Sequence, residues 1–286
     1  MRAVLWMAGA LSSLTLLAFG TRELTYEIGT SQIVFLRCVL GLVLLVPFIA
    51  HAGLGSVRTG NFRLQLFRNV LHFSGSWCWY YGVAVLPLAQ VFALEFTSPV
   101  WLGLIAVLVL GERFTLARAA AIGLGFVGIL VIVRPGVSEI SPAVLIVLAS
   151  AIGFGAAHAC VKKLTATDTP LAVLFYMSLL QLPMAGIPAL FDWAPLSWVG
   201  WAWMLLVAVC NTLAHLCFAQ ALKLADATVV VPIDFLRLPL VAVCSFLVYA
   251  EAIDPFVLIG AAIIFAGNYN NIRSEHRAAE RRADAG

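Results

Sequence analysis

The chain has 286 residues, of which 63% are hydrophobic and only 11% charged, with a formal net charge of +3. A soluble domain cannot hide that much apolar surface, whereas a bilayer can. Soluble enzymes and nucleic-acid-binding modules are therefore excluded, and a multi-pass membrane protein is expected.

A membrane helix needs about 20 apolar residues. Ten segments meet that length, near 3–20, 31–51, 66–86, 90–110, 117–133, 142–161, 171–191, 198–222, 226–249 and 255–271. The first carries Trp6; it lacks a convincing cleavage site and is expected to be retained. Arg37 stands at the head of the second. The third holds His72 and the aromatic run Trp77, Trp79, Tyr80 and Tyr81, of which Trp77 and Tyr81 are four apart and share a helix face. The fourth places Glu95 four residues before Pro99, and Glu112 closes it. Gly123, Gly125 and Gly128 in the fifth permit close helix approach. His158 lies in the sixth, and Trp193 to Trp203 cluster between the seventh and eighth. Asn211 and His215, four apart in the eighth, make one polar face. In the ninth, Asp234 and Arg237 lie five and two residues before Pro239, and Glu251 closes the run. Gly260 and Gly267 mark the tenth, and a short charged tail follows. The six cysteines all fall inside apolar spans with no CxxC pair, so neither disulfides nor a metal site is expected.

The second half echoes the first. LEFTSPVWLGLIAVLVLGE from Leu94 answers FLRLPLVAVCSFLVYAE from Phe235, and Glu112 with Glu251, Phe126 with Phe265 and Gly128 with Gly267 share one constant spacing. Five helices is an odd number, so the second copy must enter the membrane from the opposite side. The expected fold is all-α, with ten transmembrane helices as two inverted five-helix repeats: 1–136, 137–272 and a charged cytoplasmic tail over 273–286. Inverted repeats are how many secondary transporters place a site near the midplane. A cytoplasmic N-terminus puts thirteen lysines and arginines inside and only Arg22 and Arg134 outside, so both termini are expected in the cytoplasm.

Charges inside a bilayer are costly and usually face a cavity or a partner. Glu95, Asp234 and Arg237 can share one depth on paired spans, and Glu95 and Asp234 are candidates for cation recognition or a transported proton. A structural Asp234–Arg237 pair is the competing reading. Trp77, Tyr80 and Tyr81 could wall the substrate by stacking or cation–π contact, or form an interfacial belt. Trp6, Asn211 and His215 complete the candidate lining. Glu112, Glu251, Pro99, Pro239 and Arg37 are expected to act in structure or gating.

Pro87–Leu88–Ala89, LEFTSPVW from Leu94, LGER from Leu110, GFVGILVIVRPG from Gly125 and VFLRCVLGL around Arg37 resemble the drug/metabolite transporter superfamily. More narrowly, they resemble its ten-helix branch of two EamA domains. The second half matches through ALKLADATVVVP, YAE and IGAAIIFAG, with Ala250 where the family usually carries glycine. The resemblance implies a carrier in the bacterial inner membrane, and members move amino acids, S-adenosylmethionine, riboflavin, nucleosides or organic cations. Glu95, Asp234 and Arg237 sum to −1, which favours a cation or zwitterion over an organic anion. The expected partners are a small metabolite and the lipid bilayer, with proton coupling and a homodimer both compatible; no cofactor or nucleic acid is expected. GxxxxGK[ST] is absent, which argues against ATP-driven pumping, and neither HExxH nor GxSxG supports an intramembrane enzyme. A non-transporting scaffold would call for long loops or an added soluble domain.

Overall fold

The computed structural model describes residues 2–109, 114–135, 141–164, 167–225, 230 and 233–283. Its regular elements are helices: α1 Arg2–Leu24, α2 Thr30–Ala52, α3 Phe62–Val85, α4 Leu88–Glu95, α5 Ser98–Leu108, α6 Leu116–Val133, α7 Pro142–Leu164, α8 Pro170–Ala189, α9 Trp198–Leu224, α10 Arg237–Tyr249 and α11 Pro255–Ala283. Eight described stretches are long and apolar enough to cross a membrane, with α4 and α5 counted as one. α3 falls outside that set because Gln65, Arg68, Asn69, His72 and Ser76 interrupt its apolar character. α10 falls outside it because only 13 residues form its described helix.

The helices pair across the chain. α1 lies along α9, α3 along α7, α2 against α8, α4 against α10 and α6 against α11. The last pair crosses at glycines. A Cβ on Gly128 would lie 2.7 Å from the Gly260 carbonyl oxygen, and a Cβ on Gly260 would lie 2.7 Å from that of Gly128. Only backbone without side chains can approach so closely, which is the use of small residues at membrane helix interfaces. The sequence echo aligns Gly128 with Gly267, but its contact partner is Gly260; Gly267 packs on Ala121 and Leu124.

The fourth span, expected as one helix over 90–110, is broken at Phe96–Thr97 between α4 and α5. Pro99 has no N–H to give the Glu95 carbonyl four residues back. Ser98 Oγ donates to that carbonyl instead, at 2.6 Å. The Phe96 carbonyl accepts from Asn268 Nδ2 of α11 at 3.4 Å. The ninth span, expected over 226–249, also departs from one continuous helix, with a turn at Leu236 just before α10. Phe96 and Phe235, beside the two breaks, stack with ring centroids 4.3 Å apart.

Acids on two loops clasp the ends of neighbouring helices. Glu27, after α1, accepts from Ser197 N at 2.9 Å and Ser197 Oγ at 2.8 Å, and Ser197 is the N-cap of α9. Asp168, after α7, accepts from Gly60 N at 3.1 Å, from Thr59 Oγ1 and from Gln65 Nε2 at 2.8 Å, just before and within α3. At Ala250 the chain takes a left-handed conformation, φ 53°, to end α10. Glycine adopts that geometry without the Cβ penalty, which accounts physically for a preference for glycine at this position.

Candidate functional site

A cavity of about 150 Å³ opens in the middle of the bundle, lined by Arg37, His72, Trp79, Tyr80, Phe92, Glu95, Phe154, His158, Asn211, His215 and Arg237, with Leu14, Leu17 and Ser76. One wall comes from the broken spans. Glu95 ends α4 and Arg237 opens α10, so both side chains sit where the helices are interrupted. Arg237 Nη2 donates to Glu95 Oε1 and to Asp234 Oδ2, each at 3.4 Å. Its guanidinium lies 4.8 Å from the centroid of the Phe92 ring and 4.9 Å from that of Phe96. Trp79 Nε1 donates to the other Glu95 oxygen at 2.7 Å. Three charges and an indole thus hold one another at the midpoint of the bundle, and Asp234 Oδ1 remains buried without a hydrogen-bond partner.

A second part of the lining comes from α2 and α3, backed by Gln181 of α8. Arg37 Nη2 donates to Gln181 Oε1 at 2.9 Å. A guanidinium can only donate, so the Gln181 oxygen must face it, and the Gln181 amide N–H groups go to Asn69 Oδ1 at 3.2 Å and His72 Nδ1 at 3.0 Å. His72 Nδ1 is therefore the acceptor, and its proton is on Nε2. Ser76 Oγ lies 3.2 Å from the same Nδ1. Asn69 in turn donates to the Gln65 carbonyl at 2.8 Å, and Gln65 reaches Asp168 in the loop. Gln65, Asn69, His72 and Ser76 recur at helical spacing, so a single stripe of α3 carries this network from the loop to the cavity.

Among the residues expected at a site, Glu95, Arg237, Tyr80, Asn211 and His215 line the cavity, and Asp234 stands behind Arg237. Trp77 and Tyr81 do not: they stack on each other at 6.3 Å on the outer side of α3, where Trp77 Nε1 donates to Ser31 Oγ at 3.3 Å and is 41% exposed. Trp6 is likewise 41% exposed and outside the lining. The sequence places four aromatic residues within five positions and sets no phase for the helix; the face turned inward carries Trp79 and Tyr80. Arg37, expected at a helix head, lies two turns inside α2 and in the cavity wall. Arg37 brings a second guanidinium to the lining beside Arg237, which the sum of −1 for Glu95, Asp234 and Arg237 leaves out.

Pro99 belongs to the start of α5, and Pro239 lies in α10. Glu112 lies outside the described residues. Glu251 ties three elements at one end of the bundle. Its Oε1 pairs with Arg22 Nη1 at 2.9 Å, and its Oε2 accepts from Leu88 N at the start of α4 at 2.8 Å. Arg22 also donates to the carbonyls of Val83 and Leu86. Tyr249 donates to Glu23 Oε1 at 2.7 Å and stacks on Phe19 at 5.4 Å. Among the described residues no group of three histidines, cysteines or acids is placed to hold a metal ion.

An all-helical, multi-pass membrane protein with charged and aromatic groups around a central cavity is the class this architecture defines. The profile of the EamA-like transporter family matches residues 1–134 and 141–271, and the chain belongs to that family. It is 32% identical to the riboflavin transporter of Rhizobium johnstonii over 96% of this chain and 91% of that one. It is 24% identical to the S-adenosylmethionine uptake transporter of Rickettsia felis over 93% and 89% of the two chains. Identity to the pseudopaline exporter CntI of Pseudomonas aeruginosa is 26%, over 85% and 86%. One solved crystal structure shares the fold with a TM-score of 0.68 at 15% identity, covering 96% of this chain and 98% of its own.

Proposed function

We propose that the protein is a secondary transporter that carries a small polar or amphipathic metabolite, an amino-acid derivative, S-adenosylmethionine-like compound or other organic zwitterion, across the bacterial inner membrane. The observation that carries this reading is the cavity itself, a largely apolar space with a few charged and polar groups, built where two interrupted helices meet in a chain of a transporter family. Interrupted helices leave backbone groups and charges at the membrane midplane, where carriers hold their substrates.

Alternating access would come from two inverted five-helix repeats, 1–136 and 137–272, with both termini in the cytoplasm and 273–286 as the tail. The helix pairing supports this: exchanging each helix for its counterpart in the other half turns α1–α9 into α7–α3 and leaves the α2–α8, α4–α10 and α6–α11 pairs unchanged. The two acid clasps exchange in the same way. In this scheme the Arg22–Glu251 contact closes the outer side and must open for the substrate to pass, and Glu112, the counterpart of Glu251 in the sequence echo, is the gating candidate of the first half. Glu95 and Asp234 would bind the cationic group or a coupling proton. An aromatic, vitamin-like substrate is the second reading, favoured by the Trp79, Tyr80, Phe92 and Phe154 lining.

Reconstitution tests the proposal. Proteoliposomes preloaded with unlabelled compound should accumulate labelled S-adenosylmethionine, riboflavin or an amino acid, and Glu95→Gln should abolish or reverse the pH dependence of that uptake. Unchanged uptake and pH dependence in Glu95→Gln would remove Glu95 from the site.

A further inference from the structure

Arg37 and Arg68 are buried to 3% and 4% exposure, and no acid among the described residues meets either of them. Among the described residues Arg37 reaches only Gln181 and the Cys38 sulfur, at 2.9 Å and 3.7 Å. Arg68 reaches Asn69 Oδ1 at 3.1 Å and the Met177 sulfur at 3.8 Å. The Nε of each is buried without a hydrogen-bond partner, as is that of Arg237, so the contrast between them lies in the carboxylates and rings around the guanidinium. Neutral amides and thioethers compensate poorly for a buried guanidinium, and a charge at membrane depth is retained for a partner or a ligand. Arg237, which lines the same cavity, shows what compensation looks like: two carboxylates and two ring faces.

We infer that the part of the lining formed by α2 and α3 and backed by Gln181 of α8 is a subsite for an oxyanion on the substrate, a carboxylate or phosphate, with Arg37 as its principal contact. Arg68 stands behind it, linked through Asn69 and Gln181. The planar guanidinium matches either oxyanion with parallel hydrogen bonds. His72 adds a neutral donor, since its Nδ1 is occupied by Gln181 and the proton stands on Nε2. With the acids beside Arg237, the cavity would then read the separation of positive and negative groups on one molecule. The inference rests on the cavity being the transport site, and its test is kept separate from transport.

Full-length protein in detergent is unfolded by heat in chloride, acetate or phosphate at equal ionic strength. The wild type is expected to unfold at higher temperature in acetate or phosphate than in chloride, and whichever anion acts identifies carboxylate or phosphate as the preferred group. Arg37→Met should unfold no earlier than the wild type in chloride and show no response to either oxyanion. Arg37→Lys, which keeps the charge, should keep a weakened response. Matched ligands give the second reading: S-adenosylmethionine against its decarboxylated form, and flavin mononucleotide against riboflavin. The acidic member of at least one pair should bind the wild type about 10- to 100-fold more tightly than it binds Arg37→Met, the range for a charge-assisted hydrogen bond, while its anion-free partner binds both alike. A wild type indifferent to both oxyanions overturns the subsite, as does an equal response in Arg37→Met. Absence of flux in proteoliposomes with the oxyanion response intact would instead overturn the transport reading and leave the subsite standing.

Discussion

Arg237 on α10 lies between two carboxylates and two phenyl rings, whereas Arg37 on α2 meets an amide and a thiol. Both side chains are nearly inaccessible, and both line the same cavity. The difference teaches that burial alone does not assign a role to a membrane charge. A compensated charge is part of the scaffold until its partners are removed; an uncompensated one is a standing cost that a ligand can relieve.

Breaking the compensated wall should have the largest effect. Arg237→Met leaves Glu95 and Asp234 facing each other without a cation, and is expected to lower stability by about 3–5 kcal/mol. Adding Glu95→Gln and Asp234→Asn should restore much of that loss, which denaturant unfolding of the single and triple variants would measure. No restoration would mean that Arg237 holds the fold by packing on Phe92 and Phe96, not by charge. Trp79→Phe removes one donor from the Glu95 carboxylate while keeping most of the ring. Its expected cost is about 1.5–3 kcal/mol in stability, the range for a hydrogen bond to a charged group, checked by the same unfolding measurement.

Around Arg37, Gln181→Leu removes the only amide among the described residues that Arg37 reaches and takes one donor each from Asn69 Oδ1 and His72 Nδ1. About 1–3 kcal/mol of stability should be lost. Arg37→Met on that background should recover part of it, because the orphaned charge goes too. A loss in the double variant larger than in Gln181→Leu would contradict the view of Arg37 as uncompensated.

The loop that anchors the α3 stripe gives the smallest effect and a pH signature. Burial raises the pKa of the Asp168 carboxyl, but hydrogen bonds from Thr59, Gln65, the Gly60 N–H and Thr167 outweigh it and hold the group below the usual carboxylate range. A depressed pKa contributes stability at pH above the ordinary value of about 3.9, and that contribution disappears as pH falls through the lower folded value. Asp168→Asn should therefore cost about 1 kcal/mol by an amount that stays constant from neutral pH to mildly acidic pH and shrinks below it. A gap that widened in acid would reverse the sign.

Much of this was legible in the chain. Isolated charges in apolar runs stand out, so Glu95, Asp234 and Arg237 announce themselves, and the structure brings their side chains together. The prolines are legible as punctuation, but the interruption depends on the carbonyl four residues back, so the apolar run over 90–110 predicts one continuous helix where the structure turns at Phe96–Thr97. The aromatic run of α3 fixes neither its own phase nor which ring turns inward, so Trp77 was favoured where Trp79 reaches Glu95. A signal for that phase exists in the same helix. Gln65, Asn69, His72 and Ser76 form one polar stripe at helical spacing, and Tyr80 continues it into the cavity. Arg37 is legible as a position but not as cavity lining: the expected span 31–51 already puts it nearly two turns in, and only the packing of α2 turns it to the cavity.

The most direct test offers proteoliposomes a whole bacterial metabolite extract and reads their contents by mass spectrometry, with wild type beside the Glu95→Gln, Arg37→Met double variant. The account predicts at least one compound carrying both a cationic and an anionic group that the wild type accumulates and the double variant does not. Equal accumulation of every compound by the two proteins, or none by either, would contradict it.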